Sequence, residues 1–160
     1  MMKIKLITLG KLKEKYLSEA VMEYQKRLSA YAQLTTVEIS PATLPEKPSA
    51  AQIDAALKKE AEEIIKRLDK DCYKIALCVE GKQLSSEQLA EEIEQRALFG
   101  DGNIAFIIGS SYGLADKIKQ MANLKLSFSK MTFPHQLMRV ILLEQIYRAF
   151  KINEGGTYHK

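Results

Sequence analysis

The sequence predicts a single α/β domain in which helices sandwich a mostly parallel sheet. Residues 73–79 and 103–109 are almost continuously apolar, as is typical of strands buried on both faces of a parallel sheet. Strand-like and helix-like segments alternate along the chain, which favours parallel strands joined by helical crossovers. The 160 residues suffice for one domain with its own core, and no linker or repeat divides residues 1–160.

The first half of the chain predicts two strands and two helices. Residues 3–10 alternate apolar and polar side chains and end in glycine, and residues 34–39 are rich in β-branched side chains. Residues 18–32 carry an apolar helical stripe, and residues 54–68 carry another after a proline-rich loop. The second stripe consists of Leu57, Ala61, Ile64, Ile65 and Leu68.

A helix predicted over residues 85–98 separates the two apolar strands. Ser85 opens it, and Gln88 follows at the spacing of a capping box. Downstream, residues 114–121 predict a short helix and residues 124–129 a fifth strand.

The last predicted helix runs from Pro134, which suits a first turn, to about residue 151. Its apolar side chains surround nearly the whole circumference, whereas a surface helix shows one apolar stripe. We therefore expect this helix to be covered on two sides, by its own sheet and by a second copy in a homodimer.

The composition, 46% hydrophobic and 28% charged, is that of a soluble globular protein. No apolar run reaches the ~20 residues that span a bilayer, and the N-terminus lacks a signal-peptide pattern, so we expect a cytoplasmic protein without membrane contact. Cys72 and Cys78 flank one strand too far apart for a disulfide, and no zinc-ligand spacing occurs, so we expect free thiols and no metal. The net charge of +4 permits a nucleic-acid partner without requiring one.

The segment that follows the second apolar strand offers a candidate site. Gly109 and Gly113 would allow a ligand close to the backbone at the carboxyl end of a strand, although the same glycines also suit a plain helix-entry turn. The segment also fits Gly-x-Ser-x-Gly, in which Ser111 would be the nucleophile of a serine hydrolase. That hydrolase would need His135 or His159 as base and Asp116 as its orienting acid, but Asp116 lies only five residues beyond Ser111.

Other candidates lie near the chain ends. We expect His135, at the start of the last helix, to be structural and neutral, because a positive charge opposes the helix dipole there. The tail around Gly155 and Gly156 suggests fraying, but Tyr158 is an aromatic residue that a solvated tail does not need. Basic residues near the N-terminus form either a solvated surface or a phosphate contact: Lys11, Lys13, Lys15, Lys26 and Arg27.

Three stretches together resemble a known family over essentially the whole chain. They are residues 127–152 (SFSKMTFPHQLMRVILLEQIYRAFKI) with the terminal YHK, residues 107–114 (IIGSSYGL), and residues 3–16 (KIKLITLGKLKEKY). The sequence is similar to the RlmH family, bacterial pseudouridine methyltransferases of 23S ribosomal RNA in the SPOUT superfamily. The resemblance implies an α/β knot with a deep trefoil near the C-terminus, a homodimer, S-adenosylmethionine as methyl donor, and methylation of N3 of a pseudouridine in helix 69 of the assembled ribosome.

The resemblance also implies site residues, carried over by position. The cofactor-binding residues would be Leu77, Gly109, Phe128, Ser129, Lys130, Met131, Thr132 and Phe133. Tyr158, His159 and Arg148 are the catalytic candidates, and Arg148 and Lys160 the candidate RNA contacts. Cys78 stands where many relatives have an acidic residue, and Ser110 where they often have glycine. These departures leave open a third reading, a knotted RNA-binding module that has lost catalysis.

Overall fold

The computed structural model describes residues 1–100 and 102–160. In this part of the chain, strands and helices alternate throughout. The strands are β1 (Met2–Leu9), β2 (Ala32–Ile39), β3 (Tyr73–Gln83), β4 (Asn103–Ile108) and β5 (Leu124–Ser127). The helices are α1 (Lys15–Leu28), α2 (Ala50–Arg67), α3 (Ser86–Phe99), α4 (Asp116–Met121) and α5 (His135–Asn153).

The five strands form one sheet in the order β2-β1-β4-β3-β5, and every pair of neighbours is parallel. The α/β class and the parallel sheet predicted from the apolar runs are therefore confirmed. In a parallel sheet all carboxyl ends lie at one edge, which is where a ligand site is expected.

Helices cover the sheet on both faces. One core packs α1, α3 and α5 against the sheet around Phe106, and the other packs α2 and α4 around Ile107. These consecutive residues of β4 point to opposite faces, and both are fully buried. The continuous apolar run in β4 follows from this double cover.

Helix boundaries differ from the predicted ones where capping or strand pairing decides them. The second helix starts at Ala50 rather than residue 54, because Ser49 and Gln52 form a capping box that we had not predicted. The first helix ends at Leu28 rather than residue 32, because Ala32 already pairs with Met2 in the sheet. The predicted capping box of Ser85 and Gln88 is confirmed.

Helix α5 contacts both α1 and α3 and packs on the sheet. Part of its apolar circumference is therefore covered by other helices of the same chain. From the sequence, we had expected the sheet and a second copy of the chain to cover it. Leu137 remains 38% exposed on its outer side, and Val140 and Ile141 are half-buried. An apolar strip therefore remains on the outside of the first half of α5.

No helix of the described residues is long and apolar enough to cross a membrane. Within the same residues, no group of three or more His, Cys, Asp or Glu side chains could hold a metal ion. Cys72 is buried and Cys78 half-buried, and both are free thiols.

Candidate functional site

A cavity of about 610 Å³ opens at the carboxyl ends of β3, β4 and β5, within the size range of small-molecule sites. Three segments form its walls, 77–80, 108–114 and 126–135. Predicted cofactor residues that line it are Leu77, Gly109, Phe128, Ser129, Met131, Thr132 and Phe133. Lys130, the remaining one, lies in the third segment with an exposed side chain.

The second wall is a tight turn that requires glycine at two positions, Gly109 and Gly113. The Gly113 N–H donates to the Ser110 carbonyl at 2.8 Å, and Gly113 has φ +85°, which disfavours any side chain. A Cβ on Gly109 would lie 2.4 Å from the Gly113 carbonyl oxygen. The first glycine is therefore required by backbone packing, which leaves the N–H and C=O groups of this turn close to the cavity.

The first wall is an irregular stretch of β3. The pairing of β3 with β5 shifts register between Leu77 and Lys82, so the residues between them leave the regular ladder. Gly81 permits this, because a Cβ there would lie 2.7 Å from the Lys125 carbonyl oxygen. The irregularity turns Glu80 toward the cavity, where it forms an ion pair with Lys119. The pair lowers the pKa of the Glu80 carboxyl.

The third wall is held by its own serines. The Ser127 hydroxyl donates to the Ser129 carbonyl at 3.0 Å, and the Ser129 hydroxyl accepts from the Met131 N–H at 3.0 Å. These local bonds shape the segment that leads into α5, where Pro134 is the N-cap residue. Apolar and backbone groups together make this wall suited to a flat heterocycle.

A buried carboxyl supports the second wall from below. Glu60 on α2 is 6% exposed, and its carboxylate accepts the Ala42 N–H at 2.9 Å and faces the Ser110 hydroxyl. Burial raises the pKa of Glu60, while the two hydrogen bonds act against this shift. The Ser110 hydroxyl thus has a polar partner in Glu60, and the Ser110 backbone does not adopt a positive φ.

Two polar side chains at the cavity, His135 and Cys78, are held in uncharged forms. Burial lowers the pKa of His135, as do the charges of Arg139 and Lys13, so its ring is neutral at pH 7. The pKa of the Cys78 thiol is raised by burial and by Glu80. His135 therefore lines the cavity as a neutral group, and the N-cap is Pro134 rather than the histidine.

The arrangement does not build a serine hydrolase. Ser111 and His135 line the same cavity, yet among the described residues no hydrogen bond joins them. Asp116 forms no hydrogen bond with either histidine in this same part of the chain. The carboxylate that meets His159 is Glu87, and neither of these two residues lines the cavity of Ser111.

The catalytic candidates from the tail form a separate cluster. His159 Nδ1 lies 3.1 Å from the Arg148 guanidinium, and the Tyr158 hydroxyl donates to Glu144 at 3.1 Å. The Tyr158 ring meets Tyr147 edge-on at 5.0 Å. The tail after the two glycines is therefore packed on α5, as the aromatic Tyr158 suggested.

Two groups of this cluster, Tyr158 and Arg148, hold their protons more tightly than usual. Burial and the bond to Glu144 raise the pKa of Tyr158, which keeps its phenol protonated. The bond to Glu144 also raises the pKa of Arg148, which stays a cation. Arg148 is 10 residues beyond Met138, the last α5 residue that lines the cavity, so the two lie roughly 15 Å apart along the helix.

Besides Glu60, sequence reasoning missed a second buried ionisable residue near the site, Arg139. Arg139 on α5 is 2% exposed and donates to Glu38 at 2.7 Å, to the Thr8 hydroxyl at 2.9 Å and to the Gly10 carbonyl at 3.1 Å. Its partners come from β1, β2 and the residue after β1. A lone arginine in an apolar helix was the only available signal.

Known proteins similar to this chain over nearly its whole length are methyltransferases by name. A family profile described as "Predicted SPOUT methyltransferase" matches residues 2–159. The chain is 54% identical over 159 residues to a protein of Methanococcus vannielii named "Putative ribosomal RNA large subunit methyltransferase H", covering 99% of this chain and 100% of that one. It is 49% identical, with the same coverage, to the "Ribosomal RNA large subunit methyltransferase H" of Bacillus pumilus.

Among solved structures, the fold is similar to "a probable methylase family protein from Haemophilus influenzae Rd KW20". The TM-score is 0.54 at 16% identity, covering 98% of this chain and 70% of that one. At this identity the likeness supports the fold alone.

Proposed function

The chain belongs to the SPOUT methyltransferase family, in the group of ribosomal RNA large subunit methyltransferase H proteins, and we propose that it methylates 23S ribosomal RNA with S-adenosylmethionine as methyl donor. The observation that carries this proposal is the cavity at the carboxyl ends of three adjacent strands, walled by the segments that the family resemblance assigns to the cofactor. Membership of the family also implies the C-terminal knot.

The finer proposal is methylation of N3 of a pseudouridine in helix 69, in the assembled ribosome, by a cytoplasmic homodimer. The full-length identity to relatives with that ribosomal name supports the substrate class. The exposed apolar strip on α5 supports the dimer, since a second copy would cover it.

The residues of the cavity fit the cofactor. Its walls offer apolar side chains such as Leu77, Leu114 and Phe128 to a flat base, and the turn at Gly109 offers backbone hydrogen-bonding groups. The bound sulfonium would supply an already activated methyl group. The contribution left to the chain is to align the acceptor nitrogen and to exclude water from the cavity.

The acceptor nitrogen must also lose a proton, because N3 of pseudouridine is a weakly acidic imide. Among the tail residues, the Tyr158 phenol is held protonated and Arg148 is a cation, so neither is suited to accept that proton. An imidazole can accept one near neutral pH. We therefore assign proton handling to His159, and charge stabilisation or RNA contact to Arg148 and Lys160.

The distance between the tail and the cavity favours a composite site. Leu137, Ile141, Glu144 and Arg148 follow the i, i+4, i+7, i+11 spacing and share one face of α5. If that face meets its copy across a twofold axis with the helices antiparallel, Arg148 of one chain approaches the cavity end of the other helix. The tail would then complete the partner's site.

The test is transfer of labelled methyl groups from S-adenosylmethionine to ribosomes that lack the modification, followed by mapping of the methylated nucleotide. The Gly109→Val variant is the matched control, because its side chain would collide with the backbone of the cavity turn. Label at N3 of a helix 69 pseudouridine supports the proposal. Absence of transfer would contradict methylation itself, and transfer to naked RNA but not to ribosomes would contradict the assembled substrate.

A further inference from the structure

The loop between β1 and α1, residues 10–14, carries positive charges that the cofactor cavity does not use. Lys11 and Lys13 are exposed, and within the part of the chain that the structure describes neither forms an ion pair. Lys15, which opens α1, is only loosely paired with Glu19 at 3.8 Å. The loop therefore presents two ammonium groups to solvent.

This loop is fixed at its base rather than free. Gly10 has φ +100°, its N–H donates to the Ile39 carbonyl at 2.7 Å, and its carbonyl accepts from Arg139 at 3.1 Å. The Arg139 guanidinium is buried and is also held by Thr8 and Glu38. Burying a guanidinium carries a large desolvation cost, which these hydrogen bonds offset while they fix the position of the loop.

A second tie joins the loop to the edge of the cavity. The Lys13 N–H donates to Gln136 Oε1 at 3.0 Å, and Gln136 follows His135, which lines the cavity. The Lys13 charge acts on the His135 ring, which places the ammonium near the same edge. Lys130, in the wall segment 126–135, adds another exposed cation.

We propose that the loop of residues 10–14 is a phosphate-binding arm for the RNA substrate, in which Lys11 and Lys13 contact the backbone next to the target nucleotide and Arg139 is the positioning residue. This rests on the proposed RNA methyltransferase function. Lysines on a fixed loop contact phosphates without reading sequence, and so set the register of the RNA over the cavity. A net charge of only +4 suits such a local arm better than a broad basic surface.

The first test compares Lys11→Gln/Lys13→Gln with Lys58→Gln/Lys59→Gln, which removes the same charge from exposed positions on α2, across the sheet from α1 and α5. The arm variant is expected to raise the KM for ribosomes about tenfold with kcat and cofactor affinity retained. Its log–log salt dependence of KM should flatten by roughly 1.4–1.8, for two lost phosphate contacts. The α2 variant is expected to match the wild type.

The positioning role is tested with Arg139→Lys and, in case that variant folds poorly, with Gln136→Ala, which removes only the tie to Lys13. Each is expected to raise the KM for ribosomes while calorimetry shows unchanged binding of S-adenosylmethionine. An unchanged KM in Gln136→Ala and in a folded Arg139→Lys would overturn this role.

The experiments distinguish failure of the phosphate-binding arm from failure of the methyltransferase function. If the wild type methylates ribosomes and the arm variant has the same KM and salt dependence, the arm is wrong and the function stands. If the wild type transfers no methyl group, the proposed function is wrong, and co-sedimentation with large ribosomal subunits decides the arm. Equal sedimentation of wild type and arm variant, or none of either, would overturn it.

Discussion

His159 Nε2 lies 2.7 Å from Glu87 Oε1, which joins the C-terminal tail to the first turn of α3. Arg148 can only donate, so in the neutral ring Nδ1 accepts from Arg148 and the Nε2–H donates a hydrogen bond to the Glu87 carboxylate. The bond to His159 lowers the pKa of Glu87. The tail is thus docked on its own chain, and His159 must leave Arg148 before its Nδ1 can accept a proton from the substrate.

Replacing His159 tests the assignment of the proton-handling residue. His159→Ala is expected to lower kcat by about 10²- to 10⁴-fold, the range for loss of a general base, without changing the binding of S-adenosylmethionine. Thr157→Ala, at an exposed position of the same tail, is the control and should keep full activity. An undiminished kcat in His159→Ala would remove the histidine from the mechanism.

The docked tail also predicts an acid response. Because the folded-state pKa of Glu87 is lowered from its usual 4.5, its contact with His159 favours docking above that value and is lost as the pH falls through the lowered value. Amide hydrogen exchange of residues 155–160, followed at each pH, measures whether the tail stays docked. Protection, corrected for the intrinsic exchange rate at each pH, that stays unchanged even where Glu87 is fully protonated would contradict this account.

Glu60 predicts a stability change at higher pH. Burial raises its folded-state pKa, so the folded form binds the proton more tightly, and the free energy of unfolding falls as the pH rises from 4.5 through the raised value. Glu60→Gln should remove this fall, so denaturant titrations between about pH 4 and pH 7 should show a variant that gains on the wild type as the pH rises. Glu62→Gln, exposed on the same helix, is the control. An identical pH dependence in Glu60→Gln and wild type would refute the effect.

Truncating a buried side chain of α5 is expected to cause a large loss of stability. Leu142 is fully buried, so Leu142→Ala should lower the free energy of unfolding by about 2–5 kcal/mol. Leu98 is 65% exposed, and Leu98→Ala should change it by less than about 0.5 kcal/mol. Chemical denaturation of both variants measures the difference, and similar values for the two would contradict the burial assigned to α5.

The cavity walls could be expected from sequence, whereas their supports could not. Apolar runs marked β3 and β4, and parallel strands bring their carboxyl ends to one edge, so a ligand site near Gly109 was expected from the residues themselves. Leu77 was expected at the site only from the family resemblance. Glu60 and Arg139 each look like one more charged position on a helix. Their burial depends on Ala42, and on Glu38 and Thr8, which lie 18 to 131 residues away and meet them only in the folded chain.

The packing of the C-terminal tail was equally hard to predict from its own residues. Two glycines precede it, and glycine is usually a sign of fraying. It is held because Tyr147 and Glu144 present a ring and a carboxylate on the neighbouring turn of α5. Only the aromatic Tyr158 hinted at such a contact, and nothing in the sequence distinguished action within one chain from action on a partner.

Mixed dimers distinguish those two possibilities. Gly109→Val disables the cavity and His159→Ala disables the tail, so each homodimer should be inactive. If the tail acts on the partner, a mixed dimer pairs the intact cavity of the His159→Ala chain with the intact tail of the Gly109→Val chain, and unfolding and refolding the two together should restore activity. If the tail acts within its own chain, no mixed dimer contains a complete site.

Methyl transfer by the co-refolded mixture, compared with each variant refolded alone, therefore decides between the two possibilities. A mixture as inactive as its components would contradict the composite site.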